Sequence, residues 1–299
     1  MNKPQFDIEH ALLMHAHSYF VMPARGLYDE SIVGQIRESA KKSHIYLIGL
    51  TAKIDLTRMH QAKDKLITVL TVDGHEHEIE WELEPGDQLV NDDGLWYVLR
   101  ANGKRAYPSE LQLAQRLHQK VGMRFEIQYI GQAYGKDGSR NALDRLMKHE
   151  TLQKISLKGI PQNRELMLLM LEVIDANRTL TVIRPDALDR SQGSKRISRG
   201  IDKLFDTTVP ERITLYEASL IRYFQPLFNK EFKDSFPSTN MKVLADCYEK
   251  DFAGVVAEIN FDDLPFYLCS TTVAPSPYVI AKHSLHSAAE RNIFFDKGI

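Results

Sequence analysis

The spacing of hydrophobic positions predicts helices at the start of the chain. The stretches "DIEHALLMHAHSYF" and "DESIVGQIRESAKK" carry apolar residues three and four apart, as one face of an amphipathic helix does. The second stretch also opens with acidic residues and closes with lysines, which suits the helix dipole. We therefore predict a helical segment before residue 45.

The pattern changes to that of strands between residues 45 and 100. "HIYLIGLT" is a continuous apolar run, whereas "KLITVLTV", "HEIEWELE" and "GLWYVLRA" run apolar or alternate between apolar and polar residues. Asp73-Gly74 and Asn91-Asp92-Asp93-Gly94 are typical turn sequences between them. These features predict a small antiparallel β unit.

Helices and strands alternate after residue 106. The sequence predicts a helix "SELQLAQRLHQKV" with Ser109 as its N-cap, then a strand "RFEIQYI" and a helix "SRNALDRLMKHETLQKI". "RELMLLMLEVI" is apolar throughout, so periodicity does not distinguish a strand from a helix there. "PERITLYEASLIRYF" is amphipathic with proline at its start, which predicts a helix.

Together these patterns predict an α+β protein made of three units. Residues 1–105 form an N-terminal helix plus an antiparallel β domain, residues 106–235 an α/β core, and residues 236–299 a strand-rich extension. Within the core, residues 178–203 are polar and basic and contain glycine. We interpret them as a mobile loop inserted into the core.

Composition limits the class of protein. There are only two cysteines, Cys247 and Cys269, and they lack the C-x-x-C spacing of a cysteine zinc site or the number needed for a disulfide framework. The first ten residues lack an apolar signal core, and apolar runs stay far below the ~20 residues that span a bilayer. We expect a cytoplasmic protein with no membrane partner.

The net charge of −2 hides an uneven distribution of charge. Residues 73–93 contain nine acidic residues and no lysine or arginine. Residues 134–164 contain seven basic and three acidic residues, and residues 178–203 have the same balance. Basic surface in the middle of the chain is what a polyphosphate partner requires.

Several chemically distinctive segments follow one another between residues 125 and 230. A strand ends in Tyr129-Ile130-Gly131, and the next helix carries Arg145 and His149 one turn apart on one face. A later helix, within "YEASLIRYFQPLFN", carries Glu217 and is followed by Asn229. In this order, the "YIG", "RLMKH" and "YEASLIRYFQPLFN" segments resemble the GIY-YIG nuclease superfamily over about a third of the chain.

This resemblance implies metal-assisted hydrolysis of phosphodiester bonds. Glu217 would hold a single Mg²⁺ or Mn²⁺ ion together with a phosphate oxygen. Arg145 would neutralise charge on the scissile phosphate, and Tyr129 would position or deprotonate the attacking water. His149 would assist this proton transfer or hold a phosphate. Asn229 would fix the loop after the second helix, close to the nucleic acid.

The sequence departs from the family pattern at the first strand. The family has a tyrosine-containing GIY strand about ten residues before YIG, but no tyrosine stands there in this chain. The preferred candidate for that strand is "GLWYV", with Tyr97 or Trp96 in the catalytic pocket. "HIYLIG" with Tyr46 is the second choice, and "GLY" at residues 26–28 is the third.

Two further departures extend the set of candidate residues. The gap between Gly131 and Arg145 is longer than usual, which makes Arg140 a rival for the arginine role. The basic segments also supply predicted contacts to the phosphate backbone, which would give affinity and salt sensitivity without sequence choice. These predicted contacts are Arg140, Lys148, Arg190, Lys195, Arg196 and Arg199, and the resemblance adds Asn229 as a further contact to nucleic acid.

We interpret the chain as a metal-dependent endonuclease acting on double-stranded DNA, of restriction, phage-defence or mobile-element type. One alternative is a nucleic-acid-binding module on the same fold that lacks catalysis. Another is a regulatory or protein-interaction protein whose acidic N-terminal unit recognises a partner. DNA rather than RNA is implied by the resemblance alone, and the oligomeric state is left open.

Overall fold

A computed structural model describes residues 3–107, 109–133, 142–174, 178–238 and 240–286. The strands are β1 (Ile8–Pro23), β2 (Ile45–Ala52), β3 (Ile54–Ala62), β4 (Lys65–Val72), β5 (His75–Glu82), β6 (Gln88–Asp92), β7 (Leu95–Leu99), β8 (Arg105–Ala106), β9 (Arg124–Gln132), β10 (Arg164–Val173), β11 (Arg178–Ile183), β12 (Gly254–Asn260), β13 (Tyr267–Cys269) and β14 (Tyr278–Ser284). The helices are α1 (Glu30–Lys41), α2 (Glu110–Val121), α3 (Ala142–Met147), α4 (Glu150–Leu157), α5 (Gly193–Asp206), α6 (Val209–Phe224) and α7 (Lys242–Glu249).

One mixed sheet forms the centre of this α+β fold. Its strands run in the order β13-β9-β2-β10-β1-β12-β14, and β11 also pairs with β1. β1 is long enough to serve several neighbours: residues 8–13 pair with β11, residues 11–15 pair with β12, and residues 16–23 pair with β10. Strands from all three predicted units, 1–105, 106–235 and 236–299, therefore belong to the same sheet.

The first predicted helix is wrong, because residues 8–23 form the strand β1. This strand is continuously buried over its first five residues, so it lacks the alternation that would identify it, and tertiary pairing overrides its helical spacing. The second predicted helix is confirmed as α1, where the Asp29 carboxylate accepts a hydrogen bond from Ser31 N at 2.9 Å. The undecided segment "RELMLLMLEVI" is the buried strand β10.

Residues 53–123 form an insert between β2 and β9, which are neighbours in the main sheet. The insert contains two small sheets, β3-β4-β5 and β6-β7-β8, followed by α2. α2 lies on β5, where the Arg116 guanidinium stacks 4.0 Å from the centre of the Trp81 ring and Lys120 donates to the Glu78 carbonyl. The predicted antiparallel unit is thus correct for these small sheets, whereas β2 belongs to the main sheet.

The predicted loop at residues 178–203 is also wrong. Its first part is β11, which pairs with β1, and its second part belongs to α5. α5 packs against β1 and β11, so the polar composition of the segment reflects one exposed helix face and one set of buried ion pairs.

Helices cover both faces of the main sheet. α6 is the most central of them: ten of its sixteen residues are buried, and it packs against β9, β12 and β14. Side chains of β2 alternate between the faces, so Ile45 and Leu47 join the core under α6, whereas Tyr46 and Ile48 join the core formed with α1, α3 and α4. No helix within the described residues is long and apolar enough to cross a membrane.

Candidate active site

Antiparallel pairing of β2 with β9 brings two tyrosines together. Tyr46 pairs with Gly131 and Ile48 pairs with Tyr129, and the centroids of the two tyrosine rings lie 6.2 Å apart. The His149 ring lies 5.5 Å from that of Tyr46 and 5.0 Å from that of Tyr129. Three rings thus form one cluster where β2 begins and β9 ends.

The strand next to "YIG" is therefore "HIYLIG", the second choice from the sequence, and the structure corrects the choice of Tyr97. Tyr97 lies in β7 within a separate small sheet, where its ring is 4.5 Å from the guanidinium carbon of Arg105. Trp96 belongs to the same small sheet. Sequence alone does not fix which upstream strand pairs with β9, because the long insert separates the partners.

Gly131 makes the close packing of the tyrosines possible. A Cβ atom at this position would lie 2.6 Å from the Tyr46 hydroxyl oxygen and 2.8 Å from Cε1 of Tyr129. Both distances are shorter than any side chain tolerates, so a residue with a Cβ would push the rings apart. Glycine here has a steric role at the site.

The predicted helix carrying Arg145 and His149 is broken between them. α3 ends at Met147 and α4 begins at Glu150, so the expected placement of the pair on one helix face is wrong. His149 is instead the N-cap of α4, and its Nδ1 accepts a hydrogen bond from Leu152 N at 3.3 Å.

This cap defines the protonation of His149. Burial and the nearby positive charge of Arg145 lower the pKa of the imidazole, which favours its neutral form. Because Nδ1 accepts a hydrogen bond, the proton of the neutral ring lies on Nε2. The second ring nitrogen of His149, Nε2, is therefore a hydrogen-bond donor.

Glu217 is a buried acid on α6, with a side chain 8 % exposed. Burial raises the pKa of its carboxyl to about 7, and the negative charge of Glu231 acts in the same direction. The Arg145 charge and a hydrogen bond from the Gln132 backbone N–H oppose this rise without cancelling it. The carboxylate thus has incompletely compensated charge near neutral pH, a property common at functional sites.

Arg145 is the cation shared by the whole cluster. The Arg145 side chain is exposed to solvent. Its positive charge lowers the pKa values of Tyr46, Tyr129 and Glu217, whereas burial raises them. For His149, the charge and burial both lower the pKa. Burial still raises the pKa of both phenols above its ordinary value, so both are neutral at physiological pH. An exposed arginine next to a buried acid is available to bind an anion.

Asn229 closes an open edge of β9. β13 pairs only with residues 124–126 of that strand, so the later part of β9 lacks a strand neighbour on this side among the described residues. The Asn229 side chain accepts from Ile130 N at 2.9 Å and donates to Ile130 O at 2.8 Å. This is the loop-fixing contact expected from the sequence, and it makes Asn229 a positioning residue, because its buried amide is bound to the backbone and not directed at nucleic acid.

A cavity of about 780 Å³ lies in front of this cluster. Tyr129, Arg145 and Glu217 line it, and Tyr46 and His149 support Tyr129 from behind. Its rim carries exposed cations that the sequence reasoning missed, Lys154, Lys158 and Lys230, and one acid, Glu231. Lys154 and Lys158 are four apart at the end of α4, a spacing that could have identified them.

Glu217 and Glu231 are the two acids of this cavity that could hold a divalent cation. Within the described residues, His, Cys, Asp and Glu side chains form no group of three or more that could enclose a metal ion. Mg²⁺, however, binds through one or two carboxylates plus phosphate and water, and does not require an all-protein cage. Glu217, with its partly compensated charge beside the cavity, meets this requirement, and Glu231 is close enough to raise its pKa.

Most of the predicted contacts to nucleic acid lie away from this cavity. Arg196 is buried, binds Glu9 and Asp251 and lies over the Phe6 ring, so its predicted role as a phosphate contact is wrong. Arg190 and Lys195 are exposed and Arg199 is half-buried, and the described walls of the cavity include none of them. Lys148 is exposed beside His149. Arg140 lies outside the described residues.

Comparison of the chain with protein-family models, with curated proteins and with solved structures found no match. The function is therefore inferred from the chemistry of the site.

Proposed function

We propose that the chain is a metal-dependent endonuclease of GIY-YIG type that hydrolyses phosphodiester bonds of DNA. One observation carries this proposal. Tyr46, Tyr129, Arg145, His149 and Glu217 come from five separate segments and meet in and behind a single cavity. The cavity is also large enough for a phosphate and its sugar.

Arg145 is the group that binds the scissile phosphate in this proposal. Its planar guanidinium stays charged and can contact two phosphate oxygens at once. Negative charge on those oxygens increases as water attacks phosphorus and the bond to the leaving oxygen breaks. A fixed cation at this point therefore stabilises the transition state more than the bound substrate.

The three rings orient the attacking water and stabilise charge near it. Tyr129 lines the cavity, and burial raises the pKa of its phenol, so the protonated hydroxyl would hold the attacking water by a hydrogen bond. The rings of Tyr46 and His149 pack beside that of Tyr129, with centroids 6.2 Å and 5.0 Å from it. Both are fixed by packing, so little reorganisation is needed during the reaction.

Glu217 would hold the divalent ion, Mg²⁺ or Mn²⁺. Such an ion supplies a Lewis acid for phosphate oxygen and lowers the pKa of bound water. Since the pKa of Glu217 is about 7, its carboxylate forms only above neutral pH when no metal is bound. We expect cleavage to decline below pH 7, and to decline at lower pH when more Mg²⁺ is present, because the metal competes with the proton.

The test compares wild type with Glu217→Gln on supercoiled plasmid, single-stranded DNA and RNA. Each substrate is incubated with Mg²⁺, Mn²⁺ or EDTA. We expect metal-dependent cutting of DNA by wild type and its loss in Glu217→Gln. Glu249→Gln makes the same chemical change at an exposed helical position and should cut like wild type.

The other outcomes separate the alternatives. Equal cutting by wild type and Glu217→Gln would assign the activity to another site or protein. Salt-sensitive binding without cutting would indicate a nucleic-acid-binding module. Absence of both cutting and binding would end the nuclease proposal and favour a protein-interaction role.

A further inference from the structure

Two leucines at the mouth of the candidate cavity are unusually exposed. Leu157 is 85 % exposed, more than any other large hydrophobic side chain among the described residues, and Leu227 is 63 % exposed. Both line the same cavity as Tyr129 and Glu217. Isolated exposed leucines are ordinary on protein surfaces, but here two share one rim.

Both leucines stand on rigid supports. Leu157 is the last residue of α4, and Leu227 belongs to the loop that Asn229 fixes to β9. Phe228 N also donates to the Gln128 carbonyl at 3.0 Å, which adds a second anchor for this loop. Their exposure is therefore a property of a fixed surface.

A cation joins the two supports. The Lys158 ammonium lies 4.6 Å from the centre of the Phe228 ring, so the end of α4 and the loop after α6 contact each other. Lys154 and Lys230 are exposed on the same rim. Leucines flanked by lysines, next to a phosphate-binding arginine, match the chemistry of a nucleic acid strand, which offers charged phosphates beside apolar base faces.

We propose that Leu157 and Leu227 form an apolar wedge that contacts nucleobases next to the scissile phosphate. A wedge inserted into a duplex must unstack base pairs, and this is easiest where bases are already unpaired. The favoured substrate is therefore DNA with a bulge, a fork or a single-strand junction at the cutting point. This inference rests on the proposed nuclease function and specifies its substrate.

The experiment measures cleavage of two oligonucleotide duplexes that differ only in a two-nucleotide bulge. The variants are wild type, Leu157→Ser/Leu227→Ser, and Leu188→Ser, which changes a leucine that is 67 % exposed away from the cavity. Wild type and Leu188→Ser should cut the bulged duplex about tenfold faster than the paired one, the scale expected for stacking on one base. The double variant should lose this preference and cut the two duplexes at similar rates, so the ratio of the two rates is the quantity compared between variants.

A second measurement separates the wedge from catalysis. A 2-aminopurine placed beside the bulge should gain fluorescence when the Glu217→Gln protein binds, and should not when the two leucines are also replaced. Cutting without preference for the bulge, or a preference unchanged in the double variant, would overturn the wedge but leave the nuclease proposal intact. A fluorescence gain without any cutting by wild type would support the wedge and refute hydrolysis, and absence of both binding and cutting would refute both.

Discussion

Replacing Glu217 with glutamine should stabilise the protein at alkaline pH while removing its activity. The acid is buried, and its pKa lies at about 7 in the folded protein instead of the ordinary 4.5. The folded state therefore holds this proton more tightly than the unfolded state does. Linkage then requires that stability falls as the pH rises through this interval. Glutamine has nearly the same shape, retains an acceptor for the Gln132 N–H and carries no charge.

The size of the effect follows from the two pKa values. The difference between 4.5 and about 7, at about 1.4 kcal/mol for each pH unit, comes to about 3 kcal/mol. This penalty is complete at pH 8, where wild-type Glu217 is ionised in both states. At pH 5 the folded state holds the proton and the unfolded state is already mostly ionised, but this pH lies so close to the ordinary value of 4.5 that the penalty falls below about 1 kcal/mol.

Urea denaturation of both proteins at pH 5 and pH 8 measures this difference directly. Glu217→Gln should be more stable by about 3 kcal/mol at pH 8 and by less than about 1 kcal/mol at pH 5, with an unchanged dependence on urea. Comparing each variant with wild type at the same pH cancels the titration of all other groups. Glu249→Gln, which is exposed, should show almost no difference at either pH.

Two results would refute this reasoning. Equal stability of wild type and Glu217→Gln at pH 8 would mean that the carboxylate is already compensated in the folded protein. A gain that is the same at both pH values would show that shape, and not ionisation, causes it. Either result would remove the main argument that Glu217 binds a cation, which is its incompletely compensated charge.

Three other substitutions test the site and its surroundings. Gly131→Ala should abolish cleavage and cost about 1–3 kcal/mol of stability, because the added methyl group collides with Tyr46. Gly34→Ala is the control and should be tolerated, because a Cβ atom there meets no other atom. Plasmid cutting and urea denaturation measure both effects. Asn229→Ala leaves two backbone groups of β9 without a hydrogen-bond partner, so it should lower the free energy of unfolding by about 1–3 kcal/mol and slow cleavage. Cleavage at the wild-type rate would show that the Asn229 amide does not fix the loop. Arg196→Ala should lower the free energy of unfolding by about 3–5 kcal/mol, because it leaves Glu9 and Asp251 without their ion-pair partner. The DNA affinity of the folded variant, measured by gel shift, should be unchanged. A weaker affinity would show that Arg196 does contact phosphate.

Local chemistry made part of the fold predictable. The helix α2 begins where Ser109 accepts a hydrogen bond from Gln112 N, and the expected proline is the second residue of α6, because caps and proline act within a few residues. Tyr129 and Glu217 were predicted from the short segments "YIG" and "YEASLIRYFQPLFN", whose order resembles that of the GIY-YIG superfamily, and both residues line the cavity.

Features that depend on distant residues were not predictable. The choice between Tyr46 and Tyr97 depends on which strand pairs with β9, and that pairing spans the entire insert. Arg196 looked like a surface cation because its buried partners, Glu9 and Asp251, are remote in sequence. His149 interrupts a segment with continuous helical spacing, and its role as a cap became visible only through its contact with Leu152 N.

The insert at residues 53–123 has a consequence for the speed of folding. The insert connects the end of β2 to the start of β9, and Tyr46 and Tyr129 lie toward the other end of this strand pair. The two tyrosines therefore come together only after the ends of the insert have met. Loop-closure entropy grows slowly, by only about 0.6 kcal/mol for each doubling of length, so the insert hardly affects equilibrium stability. The hairpins β3-β4 and β6-β7 rely on contacts close in sequence and can form early, whereas distant pairing is slow. The insert therefore delays the assembly of the site during folding, because it separates Tyr46 from Tyr129 along the chain.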